Sequence, residues 1–427
     1  MMDNLLTEDT QAIILLSGVF GKDRSEKPLS LAEYSSLVRW LIEMKMRPGD
    51  LLQQENIAEA SMGSGIDKQR LESLLGRGVQ LGFAVEEWQR NGIWIISRSD
   101  ADYPVRYKKH LKDKAPPLLF GVGNRALLSG GGLGIVGSRN VDQEGEAFTR
   151  QVAELCVYNR MPVVSGGARG VDQISMTAAL ETGGITIGIL AENLLKKSVE
   201  RKNRHAIADG RLLLLSPYHP NARFTVGTAM GRNKLIYAMA DYALVVSADH
   251  KKGGTWVGAT EELKRDKSIA VFVRTGENVP SGNMKLLDLG AQEWPANIGS
   301  GELSTRLADL ADQRSEQTEA EPETLNLFDF QSSPASVVTQ KPEEKLSEQI
   351  QPKAESVVSS GETQPNTVYE AVMPVLLPNL KDPVSVDDLS ARVDVAKGQL
   401  NVWLKKAVAD GVVKKHKNPV LYSAKRE

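Results

Sequence analysis

Apolar residues in the middle of this chain fall in unbroken blocks rather than in alternation: LGIVG (133–137), MPVVSG (161–166), TIGILA (186–191), RLLLLSP (211–217), YALVVSA (242–248) and SIAVFVR (268–274). A strand with one wet face alternates apolar and polar side chains. Unbroken runs imply burial on both faces, and hence a parallel sheet. Helical patterns lie between most of them, such as EGEAFTRQVAELCVYN (144–159) and DQISMTAALETG (172–183). Strand-then-helix repetition predicts an α/β fold, an open doubly wound (Rossmann-like) parallel sheet. Upstream, LAEYSSLVRWLIEMKM (31–46) and DKQRLESLLGRGVQLG (67–82) repeat apolar residues at helical spacing, and IWIIS (93–97) reads as a short strand.

The pattern divides the chain into four zones. Residues 1–120 are expected to form a helical N-terminal domain with an ordered connection, and 121–302 the Rossmann-like core. Residues 303–363 are rich in Glu, Gln, Ser and Pro with almost no aromatics. Such a stretch buries too little apolar surface to offset its ordering entropy, so an acidic disordered linker is expected. Residues 364–427 give helix, helix, helix and hairpin, the order of a winged helix, with lysines at 405, 406, 414, 415 and 417. Trp403 shares a helical face with Leu400 and Leu404 and is read as packing.

Composition alters this picture in two respects. The net charge of −2 does not exclude nucleic acid, because binding depends on where cations cluster. One cysteine, Cys156, and no Cys/His cluster leave no internal disulfide and no expected metal or cofactor, which fits a reducing cytoplasm. No run approaches the length of a membrane span, and MMDNLLTEDTQ lacks the basic start of a signal peptide, so no membrane association is expected.

Candidate chemistry lies in glycine-rich, cation-bearing segments. Gly137-Ser138-Arg139-Asn140 follows a predicted strand, as does Ser165-Gly166-Gly167-Ala168-Arg169-Gly170; Gly231-Arg232-Asn233-Lys234 precedes LIYAMA. Glycines let backbone N–H groups approach a phosphate, a helix N-terminus adds partial positive charge, and arginine supplies a planar fork. A fourth segment, Lys252-Gly253-Gly254-Thr255, has the same character. Each alone is equally a tight strand-to-helix turn; several together are expected to form a phosphate-binding rim. Phe224 and Trp256 are the aromatics expected to stack on bases.

The set GSRN (137–140), VVSGGARGVD (163–172), TIGILAENL (186–194) and GRNKLI (231–236) resembles, in order and spacing, the DprA/Smf family of DNA-processing proteins. The resemblance implies a non-enzymatic single-stranded DNA binder that passes DNA to a RecA-type recombinase, and it implies a homodimer. It puts the DNA contacts on Arg139, Arg169, Arg232 and Lys234, with Ser138, Ser165, Gly166, Gly167 and Asn233 as hydrogen-bond donors. GGTWVGATEE (253–262) also resembles part of the motif of lysine-decarboxylase-like phosphoribohydrolases. That keeps open a nucleotide hydrolase using Glu261 or Glu262, or a nucleotide sensor. Within the linker, TLNLFDF resembles a sliding-clamp docking peptide, with Leu325, Leu327 and Phe328 as its apolar anchors.

Overall fold

The computed structural model describes residues 6–20, 26–296, 298–299, 302–320, 372–374, 376–393, 395, 397–416 and 420–425. They divide into two compact units, 1–326 and 327–427.

The first unit opens with helices α1 (Glu8–Ser17), α2 (Leu31–Glu43), α3 (Asn56–Ser64), α4 (Lys68–Leu75) and α5 (Gly78–Arg90). Their ends are set by local chemistry. Ser30 and Glu33 form a reciprocal capping box at the start of α2, which satisfies two otherwise orphan N–H groups. Strand β1 (Trp94–Ser97), helix α6 (Val105–Leu111) and strand β2 (Leu118–Val122) come next. Then the strand–helix alternation begins: β3 (Leu133–Gly137), α7 (Gln143–Tyr158), β4 (Val163–Ser165), α8 (Val171–Glu181) and β5 (Thr186–Ile189). It continues through α9 (Leu194–Val199), α10 (Arg201–Ala208), β6 (Leu212–Ser216), α11 (Val226–Met239), β7 (Tyr242–Ser247) and α12 (Gly253–Leu263). The unit closes with β8 (Ala270–Val273), α13 (Ser281–Asp288), β9 (Gln292–Glu293) and α14 (Leu303–Ala320).

The sheet has nine strands in the order β1-β2-β6-β5-β4-β3-β7-β8-β9. From β6 to β9 every pairing is parallel, as the unbroken apolar runs imply. The expected all-parallel sheet is corrected at one end, where β2 pairs antiparallel with β6 and β1 antiparallel with β2. The expected domain boundary at 120 therefore moves, because β1 and β2 are strands of the core sheet. After β6 the chain returns to the centre, lays β7 beside β3, and builds outward in the other direction. Carboxyl ends at such a reversal point leave a crevice.

Both faces are covered. In β6, Leu212 and Leu214 pack with Leu71, Leu74 and Trp88 of the N-terminal helices, while Leu213 and Leu215 join Tyr107, Leu235 and Tyr237 on the opposite side. A third cluster joins Leu133, Ile135 and Phe272 to Leu303 and Leu307 of α14. This corrects the expected linker start at 303. The two leucines are fully buried, and Asn159 accepts a hydrogen bond from the Leu303 N–H at 3.1 Å. Residues 321–363, with Leu325, Leu327 and Phe328, lie outside the described residues.

The second unit carries a 3-10 turn at Leu377–Leu380, helices α15 (Val386–Val393) and α16 (Lys397–Ala409), and an antiparallel pair, β10 (Val413–His416) with β11 (Leu421–Ala424). Leu380, Leu389, Leu400, Leu404, Val413 and Tyr422 form its core, with Trp403 partly buried against it. Lys405, Lys406, Lys414 and Lys415 are exposed, and Lys417 lies outside the described residues.

Candidate phosphate-binding cleft

Between the carboxyl ends of β3, β4 and β7 lies a cleft of about 380 Å³. Its walls are Ser138 and Arg139 after β3, Phe224 before α11, Asn233 on α11, and the run from Lys252 to Thr255 at the start of α12. Arg139 is exposed, and its guanidinium lies over the Phe224 ring at 4.8 Å from the centroid. Phe224 is itself 40% exposed, a planar apolar surface at the mouth. Gly253, Gly254 and Thr255 form the first turn of α12, whose N–H groups lack intrahelical partners. The Asn233 side-chain amide donates to the Gly254 carbonyl at 3.1 Å, fastening α12 to α11. Together these give a cation, a helix N-terminus and an aromatic face on one opening, which suits a phosphate with an adjoining base.

The Ser165–Gly170 segment is built differently from the expectation. Ser165 is fully buried and its hydroxyl donates to the Ile135 carbonyl at 2.7 Å, so it is a strut between β3 and β4. Asp172 sits behind the loop and accepts from the backbone N–H groups of Gly166 and Ala168. Those amides hold an internal carboxylate rather than an external phosphate. Burial pushes the Asp172 carboxyl above its ordinary value, opposed by Arg232 and by the two amides.

Arg232 requires the clearest correction. Its side chain is 6% exposed and pairs with Asp172 at 3.4 Å, beneath the cleft instead of on its rim. The expected turn at Gly231–Lys234 is the interior of α11; Thr225 caps that helix from below, and nothing interrupts it. Gly166 is required by this packing, since a Cβ there would meet the Arg232 Nη1 at 1.4 Å. Lys234 is half-buried on α11 and does not line the cleft.

Arg169 is exposed and faces a second groove of about 580 Å³ that shares Arg139 with the first and adds Arg150. Its guanidinium donates to Asn140 Oδ1, which joins the two glycine loops. Gly170, at φ +87°, makes that junction possible, because a Cβ would lie 2.3 Å from the Ser138 carbonyl oxygen. Ser138 closes a local turn by accepting from the Asn140 N–H at 3.1 Å. Gly167, at φ +64°, turns the chain toward Leu190.

Two further expectations change. Trp256 is buried with its ring against His250, so it packs instead of offering a stacking surface. Glu262 is 1% exposed and fully engaged by His110 at 2.9 Å, Arg265 at 3.3 Å and the Ile269 N–H at 3.0 Å. Neither it nor Glu261 lines the cleft. The sequence reading missed Asp172 and Tyr237, which form the floor of the cleft with Arg232. Aspartate after a glycine loop reads as solvated until its partner, sixty residues away, is located.

A doubly wound sheet with cations and a helix N-terminus at its carboxyl-end crevice defines a Rossmann-like domain with a candidate anion-binding cleft. The family model described as DNA recombination-mediator protein A matches residues 94–298, and over that stretch the chain is similar to the DprA/Smf proteins. It is 28% identical over 225 residues to DNA processing protein DprA of Bacillus subtilis (strain 168), covering 51% of this chain and 74% of that protein. It is 27% identical over 197 residues to Protein Smf of Synechocystis sp. (strain ATCC 27184 / PCC 6803 / Kazusa), covering 44% of this chain and 49% of the relative. The X-ray structure of DNA processing protein A from Streptococcus pneumoniae superposes with a TM-score of 0.54 at 21% identity, over 70% of this chain and 98% of that one. That likeness shows the fold. Among the described residues, no helix is long and apolar enough to cross a membrane.

Proposed function

We propose that this protein binds single-stranded DNA at the cleft, holding phosphates with Arg139, Lys252 and the first turn of α12 while a base stacks on Phe224. The observation that carries this reading is the exposed Arg139–Phe224 pair beside the α12 N-terminus. Stacking on a protein aromatic requires splayed bases, which a single strand offers and a duplex does not. The names of the relatives, DNA processing protein and recombination mediator, support DNA as the polyanion. Binding without covalent chemistry is supported by the engagement of Glu262 with His110, Arg265 and the Ile269 N–H, and by neither glutamate lining the cleft. Arg169 and Arg150 extend the rim along the second groove.

The remainder of the proposal rests on the family resemblance and the sequence pattern. It comprises a cytoplasmic homodimer that passes its strand to a RecA-type recombinase, clamp docking through Leu325, Leu327 and Phe328, and a winged helix in residues 364–427. Two helices followed by a hairpin with exposed lysines support the last of these, as a module able to meet duplex phosphates.

The test is fluorescence anisotropy of a labelled single strand across a salt series, with wild type and Arg139→Ala/Lys252→Ala. Each phosphate contact contributes roughly 0.7 to the log–log salt slope on a single strand, so the double variant should lose about 1.4. Affinity should fall about tenfold or more. An unchanged slope and affinity, or a preference for duplex in the wild type, refutes the reading.

A further inference from the structure

A second basic surface lies at the opposite end of the same sheet. Helix α6 and the 3-10 turn that follows it, Lys112–Lys114, carry exposed Lys108, Lys109, Lys112 and Lys114. The end of α12 reaches the same place: the Arg265 guanidinium donates to the His110 carbonyl at 3.3 Å, which brings exposed Lys264 and Lys267 beside the α6 segment. Acids on these stretches, Asp113, Glu261 and Asp266, are fewer than the lysines.

Three observations set this surface apart from an ordinary solvated face. First, among the described residues none of the six lysines lies within 4.0 Å of a carboxylate, whereas Lys68, Lys197, Lys202 and Lys285 each do. Second, Lys112 is held at φ +50° where α6 gives way to the 3-10 turn, so the lysines of the two segments lie on either side of a sharp bend. Third, the surface continues into a groove of about 520 Å³ lined by Arg106, Lys109 and Arg125 with one acid, Asp102, which pairs with Arg125 at 2.9 Å.

Its position follows from Arg106, which donates to the Met239 carbonyl at 2.8 Å and pairs with Asp241, immediately before β7 begins. The cleft lies where β7 ends. Six residues of strand at about 3.3 Å each separate the two by roughly 20 Å. Helix α12 spans that interval, with its first turn in the cleft and its last turn among the lysines.

We propose that this lysine surface is a second phosphate-contact site, engaged by the stretch of a single strand that leaves the cleft and runs along α12. This rests on the reading of the cleft as a strand-binding site, and it adds a prediction that the cleft alone does not make: affinity should rise with strand length by more than the number of registers the longer strand offers. A polyanion fits because the lysines are distributed over more than one turn of chain with no pocket between them, which suits a repeating charge instead of a single small anion.

The experiment compares a four-nucleotide and a twenty-nucleotide single strand binding to the full-length protein. The proteins are wild type, Lys109→Gln/Lys112→Gln/Lys114→Gln/Lys264→Gln, and the same four positions changed to Arg. Wild type should bind the longer strand about a hundredfold more tightly or better, against the roughly seventeenfold that counting four-nucleotide registers on twenty nucleotides gives by itself. The Gln variant should lose most of that gain, and up to about 2.8 of the salt slope, at roughly 0.7 per phosphate. It should keep the four-nucleotide affinity within about twofold, which also reports that it is folded. The Arg variant should retain the gain. A gain above the register count that survives in the Gln variant, or no gain above it in the wild type, overturns the proposal. Failure of the short strand to bind wild type tells against the cleft reading instead. If in that case the long strand binds and loses affinity in the Gln variant, the lysine surface stands alone.

Discussion

Replacing Asp172 by Asn should destabilise the first unit severely, and the structure allows the size to be worked out. Asp172 and Arg232 are 8% and 6% exposed and 3.4 Å apart. Arg232 already has a buried Nε without a partner among the described residues. Removing the negative charge leaves a guanidinium, 6% exposed at the floor of the cleft, without its counter-ion. It also weakens the acceptor for the Gly166 and Ala168 N–H groups. Breaking a buried pair from one side costs about 3–5 kcal/mol, and Asn retains one acceptor, so about 3 kcal/mol is expected. For a unit of about 300 residues the unfolding entropy is about 0.6 kcal/mol/K, so each kcal/mol lowers the thermal midpoint by about 1.6 °C, giving a fall of roughly 5 °C. Circular dichroism melting of the variant reads this directly. Arg232→Met in the same background should recover part of the loss, because the orphaned charge is then gone. A midpoint within about 2 °C of wild type would refute the argument that the glycine loop is organised around an internal ion pair.

Two other outcomes follow from buried or paired groups. The Arg70 side chain, with the Ser30 N–H, holds the Glu33 carboxyl down at about 2. A lowered carboxylate stabilises the fold above its unfolded value and loses that contribution as pH falls toward 2, so Glu33→Gln should cost about 0.5–1 kcal/mol at pH 7 and progressively less below pH 4.5. Urea midpoints at pH 7, 5 and 3 measure it; a constant difference across that range would contradict the assignment. Burial pushes the Cys156 thiol up to about 12, so an aromatic disulfide reagent at pH 8 should label it only in denaturant. Prompt labelling of the native protein would show that helix α7 does not seal the residue.

The parallel strands were legible because burial on both faces leaves a local trace, an unbroken apolar run. The antiparallel end was not. IWIIS and LLFGV are short apolar runs like the others, and nothing within them states that Phe120 pairs with Ser216, almost a hundred residues on. Gly231 illustrates a second limit. Glycine before a basic triplet reads as a turn, yet a helix capped at Thr225 passes through it, since a mid-helix glycine costs only about 1 kcal/mol. For the site, Arg139 was recognisable from its place after a strand. Arg169 was recognisable in the same way, but not its separate groove. Arg232 and Asp172 escaped because each looks solvent-facing by type, and only their mutual position explains their burial.

The N-terminal helices and the sheet share one core, in which Trp88 meets Phe120 at 5.2 Å between ring centroids. The family-model match begins at residue 94, but mechanical autonomy does not. A chain cut there would present Phe120, Leu212 and Leu214 to water as an open apolar plate, so the helical prefix behaves as a lid on a shared interior rather than as cargo. Shuffling this family's domain into a new protein would therefore require carrying the prefix along or supplying a new cover for that face. The unit that evolution can move is longer than the stretch that the family model marks.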